Sequence, residues 1–201
     1  MTGLRIGIAL VMVVFLAGCG APEPKWASDA DVTRSRYVHD GPAMLTLFTV
    51  IDNSNGSGAH SALMINGSER VIFDPAGTWY HPRLPERNDV HFGMTDAAVV
   101  FYVDYHSRVT YHTIIQEIEV SPAVAERALA AVKSYGAVPK AQCSRSITAI
   151  LRGLPGFQSI PSTWFPAKAA DAFGKLPGVS TEKVFDNDPD KNTDFIMAYG
   201  I

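Results

Sequence analysis

Cys143 is the residue in this chain best placed for covalent chemistry. The apolar side chains of Ile147, Ile150, Leu151 and Leu154 follow it at helical spacing, and Pro155 with Gly156 stops the run. A helix is therefore expected to start close to Cys143. The thiolate, not the thiol, attacks carbonyl carbons, and the unpaired backbone donors and positive dipole end of a helix N-terminus favour that anion. A histidine nearby would hold the thiolate as an ion pair and later pass its proton to a leaving group. Of the six histidines, His60 opens an apolar segment directly after a loop of Gly and Ser, where a side chain faces a cleft rather than the core. A free cysteine is also a common core filler, so the residue type alone permits either role.

The second cysteine, Cys19, belongs to a different kind of segment. Residues 1–18 hold one basic residue, Arg5, and then an apolar run over 6–17 that ends in small residues, as a secretory signal does. That run is shorter than the roughly 20 apolar residues that span a bilayer. Leu16, Ala17, Gly18 and Cys19 resemble the lipobox of bacterial lipoproteins, which implies cleavage before Cys19 and acylation of its thiol and new amine. Several acyl chains anchor stably where a single chain is marginal. The mature chain is accordingly expected to start at Cys19 and to sit on the periplasmic face of a bacterial envelope. Gly20, where inner-membrane retention would favour Asp, points to the outer membrane. Cys143 would then be a lone thiol in an oxidising compartment, where cysteines normally pair, so it is either buried filler or a reactive group.

The elements that must position these groups follow from periodicity and turn chemistry. Residues 19–41, with Pro22 and Pro24 and no apolar period, read as a lipidated flexible tether. Residues 42–201 have the size and apolar content of one domain. An apolar run over 44–51 predicts a buried strand, and 52–58 its turn. Segments 60–65 and 70–73 flank Asn66 and Gly67, a dipeptide suited to tight hairpin turns. Residues 79–88 read as a surface loop shaping a cleft, with Trp79, Tyr80 and His81 as possible lining. Thr95 could cap a helix to about His106, although 99–103 would also suit a strand, and 111–120 alternates as a strand. Ser121 and Pro122 open a helix that Gly136 closes. A last helix is expected over 167–176, a strand over 183–185 and a polar tail over 186–192. With a formal net charge of −3 and no run of Lys or Arg, a nucleic-acid partner is not expected. No glycine-rich phosphate loop occurs, and His106, His112 and Asp104 match no common metal spacing, so no cofactor or metal is expected.

One resemblance joins these pieces. His60, Ser61, Ala62, Leu63, Met64, Ile65, the turn at Asn66 and Gly67, then Val71, Ile72, Phe73 and Asp74 resemble the histidine hairpin of NlpC-type papain-like cysteine hydrolases. Gln142 to Ile147 resembles the helix start that carries that family's cysteine. Here the cysteine follows the histidine, as in the circularly permuted branch, which includes lecithin retinol acyltransferase-like proteins and bacterial lipoproteins. The resemblance covers about 59–154. It implies an α+β, papain-like, circularly permuted fold with a small antiparallel sheet packed on helices. It also implies Cys143 as nucleophile, His60 as base and then acid, and Asp74 as orienter of the imidazole, where the family more often has a second His. Ala62 stands where the family often has Gly. Asp74 before Pro75 could equally be a turn former. The implied activity is a thiol hydrolase cutting an amide in peptidoglycan stem peptides. The alternatives are an acyltransferase or deacylase acting on lipids, and a non-catalytic envelope binding module.

Overall fold

The structure is a computed structural model in which residues 21–190 are described; the expected leader, Cys19 and the chain after residue 190 lie outside them. The fold is α+β. Seven strands, β1 (Met44–Asp52), β2 (Gly58–Asn66), β3 (Arg70–Phe73), β4 (Glu86–Arg87), β5 (Val90–Phe92), β6 (Tyr111–Glu119) and β7 (Ser180–Phe185), form one antiparallel sheet in the order β4-β5-β3-β2-β1-β6-β7. The sheet is larger than the small one anticipated. Five helices among the described residues join it: α1 (Asp29–Ser35), α2 (Asp96–His106), α3 (Pro122–Tyr135), α4 (Cys143–Arg152) and α5 (Pro166–Phe173). No helix among the described residues is long and apolar enough to cross a membrane.

β1 lies at the middle of the sheet and is buried along almost its whole length, because apolar helices cover both faces. Strand alternation sorts its side chains and those of its neighbours. Leu45, Leu47, Leu63, Ile65, Val71 and Phe73 pack with α3, α4 and α5, while Phe48, Ala62, Met64 and Ile72 pack with α2 and Trp79. Each fully buried Leu, Ile or Phe contributes about 1.5–3 kcal/mol relative to exposure, so this two-sided core fixes the register firmly.

The helix boundaries follow local chemistry. Thr95 Oγ1 accepts from Ala98 N at 3.2 Å, so the ambiguous segment is helix α2, with Ala98, Phe101 and Tyr102 facing the sheet. Ser121 caps α3 through Val124 N, Pro122 occupies its first turn, and Gly136 ends it with φ at +88°. The helix expected over 167–176 runs from Pro166 to Phe173, and the last strand begins at Ser180 rather than 183.

Three local expectations change. The β2–β3 connection is not a two-residue turn: Asn66 pairs with Arg70, Gly67 to Glu69 bridge them, and neither Asn66 nor Gly67 has positive φ. Gly67 is needed for close approach instead, since a Cβ there would stand 2.8 Å from Glu126 Oε1, and the Glu126 carboxylate accepts from Ser68 N and Oγ. The stretch read as a tether is strapped to the body from Lys25 onward. Ala27 N donates to Glu86 O, Asn88 N to Lys25 O and Arg70 N to Tyr37 O, and Ser28 caps α1. Finally, the 79–88 segment contains β4, and two of its three proposed cleft residues are core: Trp79 and His81 are buried against Phe101, while Tyr80 is half exposed.

Candidate active site

Register brings His60 and Asp74 to one face. Leu63 pairs with Phe73, so one step further sets Asp74 opposite Ala62 and diagonal to His60, on the side facing α2. The longer turn therefore preserves the relation that the resemblance implied. Asp74 is also a turn former. Gly77 N donates to Asp74 O at 3.0 Å across Pro75 and Ala76, and Ala76 takes φ of +57°, the positive angle that a type II turn requires at that position. Gly77 is obligatory beside it, since a Cβ there would fall 1.9 Å from Asp74 Oδ2.

Cys143 reaches the same point from the other layer, as the first residue of α4. Ser144 Oγ and Ser61 Oγ, both fully buried, lie 3.0 Å apart and pin the start of α4 to the start of β2. The N-terminal end of α5 packs closely on Gly58, where a Cβ would meet Pro166 Cβ and Ala167 N at 2.6 Å. These two contacts fix the relative position of sulfur and ring. The Cys143 thiol hydrogen-bonds the His60 ring and receives the backbone N–H groups of Ser61 and Ser144. His60 Nε2 donates to Asp74 Oδ1 at 2.6 Å, which leaves Nδ1 for the sulfur.

The electrostatics follow from this chain of contacts. Burial pushes the Cys143 thiol up, but the hydrogen bond and charge of His60, with the two backbone donors, outweigh it and leave the thiol below its ordinary range. Burial opposes a charged His60, yet the carboxylate of Asp74 and then the sulfur raise it to about 10. Asp74, itself opposed by burial, is held below the usual carboxylate range by His60 first, and in acid, where they too are protonated, by His106 and His91. These contacts thus favour a thiolate, an imidazolium and a carboxylate in a row.

Several supporting residues carry no signature in the sequence reading. Tyr102 Oη donates to Asp74 Oδ1 at 2.8 Å, and burial with that carboxylate drives its own phenol well above the ordinary range. The His106 ring stacks on His60, with centroids 5.8 Å apart and planes 13° from parallel, and its Nδ1 donates to the Tyr102 carbonyl at 2.8 Å. Burial lowers His106 to about 4, so it is a neutral cover over a charged ring. The four-residue spacing of Tyr102 and His106 on a helix was the available signal. Asp89 ties the loops together: its carbonyl accepts from Asp74 N at 2.8 Å and its Oδ2 from Val138 N at 2.8 Å. Burial raises Asp89 to about 6 despite the backbone donors of Val138 and Ala76 at its carboxyl.

A cleft of about 490 Å3 lies against the turn that follows Asp74, lined by Ala76, Gly77, Thr78, Asp89, Val138 and Lys140 among others and by none of Cys143, His60 and Asp74. The four non-glycine residues with left-handed backbone among the described residues are Ala76, Asn88, Asp89 and Ala141. Ala76 and Asp89 line this cleft, and Ala141 sits between it and Cys143; such strain concentrates where surrounding structure holds a functional geometry. A larger cleft of about 550 Å3 runs along α5 and likewise includes none of the reactive side chains.

Two groups among the described residues have metal-ligand geometry, His60 with Asp74 and His106, and Asp104 with Asp186 and Asp188. In the first, the 2.6 Å separation of Nε2 and Oδ1 is that of a shared proton; two donors on one zinc ion, each about 2.1 Å away, stand further apart. In the second, Asp104 and Asp188 hold the buried guanidinium of Arg108 at 3.3 and 3.2 Å. His112 lies apart from both, bonded to Asn53 Oδ1 at 2.6 Å. No protein-family model matches the chain, and no curated protein or solved structure matches it.

Proposed function

We propose that this chain is a cysteine hydrolase of the bacterial envelope, of the circularly permuted, NlpC-type papain-like kind, acylated at Cys19 and cutting an amide in peptidoglycan stem peptides. The observation that carries this reading is the continuous contact from the Cys143 thiol through the His60 ring to Asp74. A structural cysteine has no use for a depressed pKa and a buried imidazole held by its own carboxylate.

The chemistry follows from the protonation states. The Cys143 thiolate attacks the scissile carbonyl carbon and forms the new C–S bond, while the carbonyl electrons move onto oxygen. As first residue of α4, Cys143 has a backbone N–H without an intrahelical acceptor, and that donor is available to the oxyanion. His60 Nδ1–H then protonates the leaving amine as the C–N bond breaks. Water attacks the thioester, His60 takes one proton from it, and the returning sulfur leaves as the thiolate beside a recharged imidazolium. Asp74 keeps the ring in the tautomer and orientation both steps need.

A reactive-thiol probe at near-neutral pH tests the reading directly. Rapid labelling of Cys143 in the folded chain supports it, and labelling only after unfolding overturns it. Incubation with purified sacculi and separately with phospholipid vesicles, read by mass spectrometry, then tells amide cleavage from acyl transfer. Release of cut stem peptides by the native chain and not by Cys143→Ala is the expected result.

A further inference from the structure

The segment that carries the nucleophile also carries an uneven charge. Between residues 141 and 179 stand Arg145, Arg152, Lys168 and Lys175 against the single acid Asp171, a net +3 in a chain whose formal charge is −3. All five are exposed. In the middle of them Trp164 and Phe165 protrude, 49% and 60% exposed, with the Arg145 guanidinium 4.7 Å above the indole and the Lys168 ammonium 4.9 Å above the phenyl ring. Exposed aromatics this large, side by side and flanked by cations, are not needed for packing, and this combination is suited to the boundary between anionic headgroups and acyl chains.

Position gives the patch its meaning. Arg145 lies two residues after Cys143 in the first turn of α4, and Pro166, next to Phe165, packs on Gly58, two residues before His60. The patch therefore flanks the reactive pair. On the other side of Cys143, Ala21 lines the same cleft as Lys140. Cys19 precedes Ala21 by two residues, a contour of at most about 7 Å, so an acyl anchor on Cys19 holds the cleft near a bilayer. We propose that the α4–α5 face, through Trp164, Phe165, Arg145 and Lys168, docks on an anionic membrane surface and turns the start of α4, with Cys143, toward the headgroups. The docking is independent of the catalytic reading; only the tether argument rests on acylation of Cys19.

The full chain, reconstituted in vesicles whose acyl chains are brominated, reports docking through indole quenching. Trp79 is buried, but Trp26 is 68% exposed against Arg87 at the edge of the sheet, so every chain in the assay carries Trp26→Phe and Trp164 is the reporter for this face. Quenching is expected in vesicles containing phosphatidylglycerol, and it should vanish in pure phosphatidylcholine, at high salt and in Trp164→Phe. Each cation removed, in Arg145→Gln or Lys168→Gln, should lower the docked-to-undocked ratio about fivefold, and about twenty-fivefold together. Equal quenching in neutral and anionic vesicles, or quenching that persists in Trp164→Phe, overturns the proposal. Circular dichroism of the variants confirms that they are folded. The mass of the mature chain reads acylation separately, and the thiol probe reads the site separately. A chain that lacks acyl groups or an activated thiol, yet still shows the Trp164 signal, keeps this docking surface while one of the other readings fails.

Discussion

Asp74 and Asp104 are both carboxylates set beside a largely buried cation, the first bonded to α2 and the second part of it, yet their pKa values move in opposite directions. Asp74 is lowered, opposed by burial but carried above all by His60. Asp104 is raised, because burial and the charges of Asp186 and Asp188 outweigh its one guanidinium, Arg108. Helix α2 separates the two with successive rows: Tyr102 and His106 on one, Asp104 and the following Arg108 on the other. A charged cluster with a permanently charged partner stitches chain segments together and can do little else. A cluster whose cation can lose its proton to a substrate, with a sulfur on the ring's other nitrogen, is equipped for chemistry.

The two clusters should fail in different ways when broken. Cys143→Ala is expected to lower kcat/KM by about ten-thousandfold or more while unfolding free energy moves within about 1 kcal/mol, measured by turnover and by denaturant titration on the same sample. Retained turnover would remove Cys143 from the mechanism. Arg108→Leu should do the reverse. It strands Asp104 beside the two acids that already raise it, so a loss of about 3 kcal/mol in stability is expected, with kcat of the folded fraction unchanged.

A backbone variant sharpens the same contrast. Gly77→Ala places a methyl group where Asp74 Oδ2 lies, so the carboxylate must shift away from His60. A displacement of about 1 Å at a catalytic group can cost about a hundredfold in rate. Ala76→Gly next door only relieves a positive φ and should leave the rate unchanged, so a comparable loss in both variants would mean that loop rigidity, not the Asp74 position, is what matters.

The pH dependence distinguishes the two clusters without mutation. Activity needs a thiolate and a protonated ring, so kcat/KM should rise through the depressed pKa of Cys143, below the ordinary 9.0, and fall as His60 loses its proton at about 10. An isolated thiol would instead switch on only near 9. For stability, the raised His60 contributes fully below its ordinary 6.5 and loses that contribution as pH climbs toward 10. The lowered Asp74 contributes above its ordinary 3.8 and loses it as pH falls below. The gap in melting temperature between the native chain and Asp74→Asn should therefore be widest between about pH 4 and 6.5. A gap that widens toward pH 10 would show that the pair is not charged in the folded state.

Much of this arrangement was readable from local sequence. Thr95, Ser121, Pro122 and Gly136 mark helix ends by chemistry that needs no distant partner, and the apolar period after Cys143 placed it at a helix start. The parity of the β2–β3 hairpin put His60 and Asp74 on one face whatever the turn length, provided the change was even. What escaped were contacts between segments far apart in the chain. The pairing of Trp26 with Arg87 turns a proline-rich stretch into part of the body, and no residue near Trp26 announces it. Trp79 and His81 looked like loop residues because their partner, Phe101, lies 20 or more residues later. The hydroxyl of Tyr102 was invisible for the same reason: its acceptor is 28 residues away.

Tyr102 supplies the subtlest expected effect. Its hydroxyl and His60 Nε2 share one oxygen of Asp74, so Tyr102→Phe removes a donor from the carboxylate without touching sulfur or ring. A hydrogen bond to a carboxylate of this kind is worth about 1.5–3 kcal/mol at most, and the ring packing of Tyr102 against Trp79 and Phe48 survives the change. The Asp74 anion becomes a stronger base toward the imidazolium, which makes His60 a less willing proton donor to the leaving group. The expected result is a fall of about tenfold in kcat, with KM unchanged and the alkaline limb of the pH profile moved upward. Asp104→Asn, two residues along the same helix, should move neither quantity. If both substitutions shift the alkaline limb alike, then α2 acts on His60 through its overall field rather than through the Tyr102 hydroxyl, and the separation of its two rows into a chemical and a structural one fails.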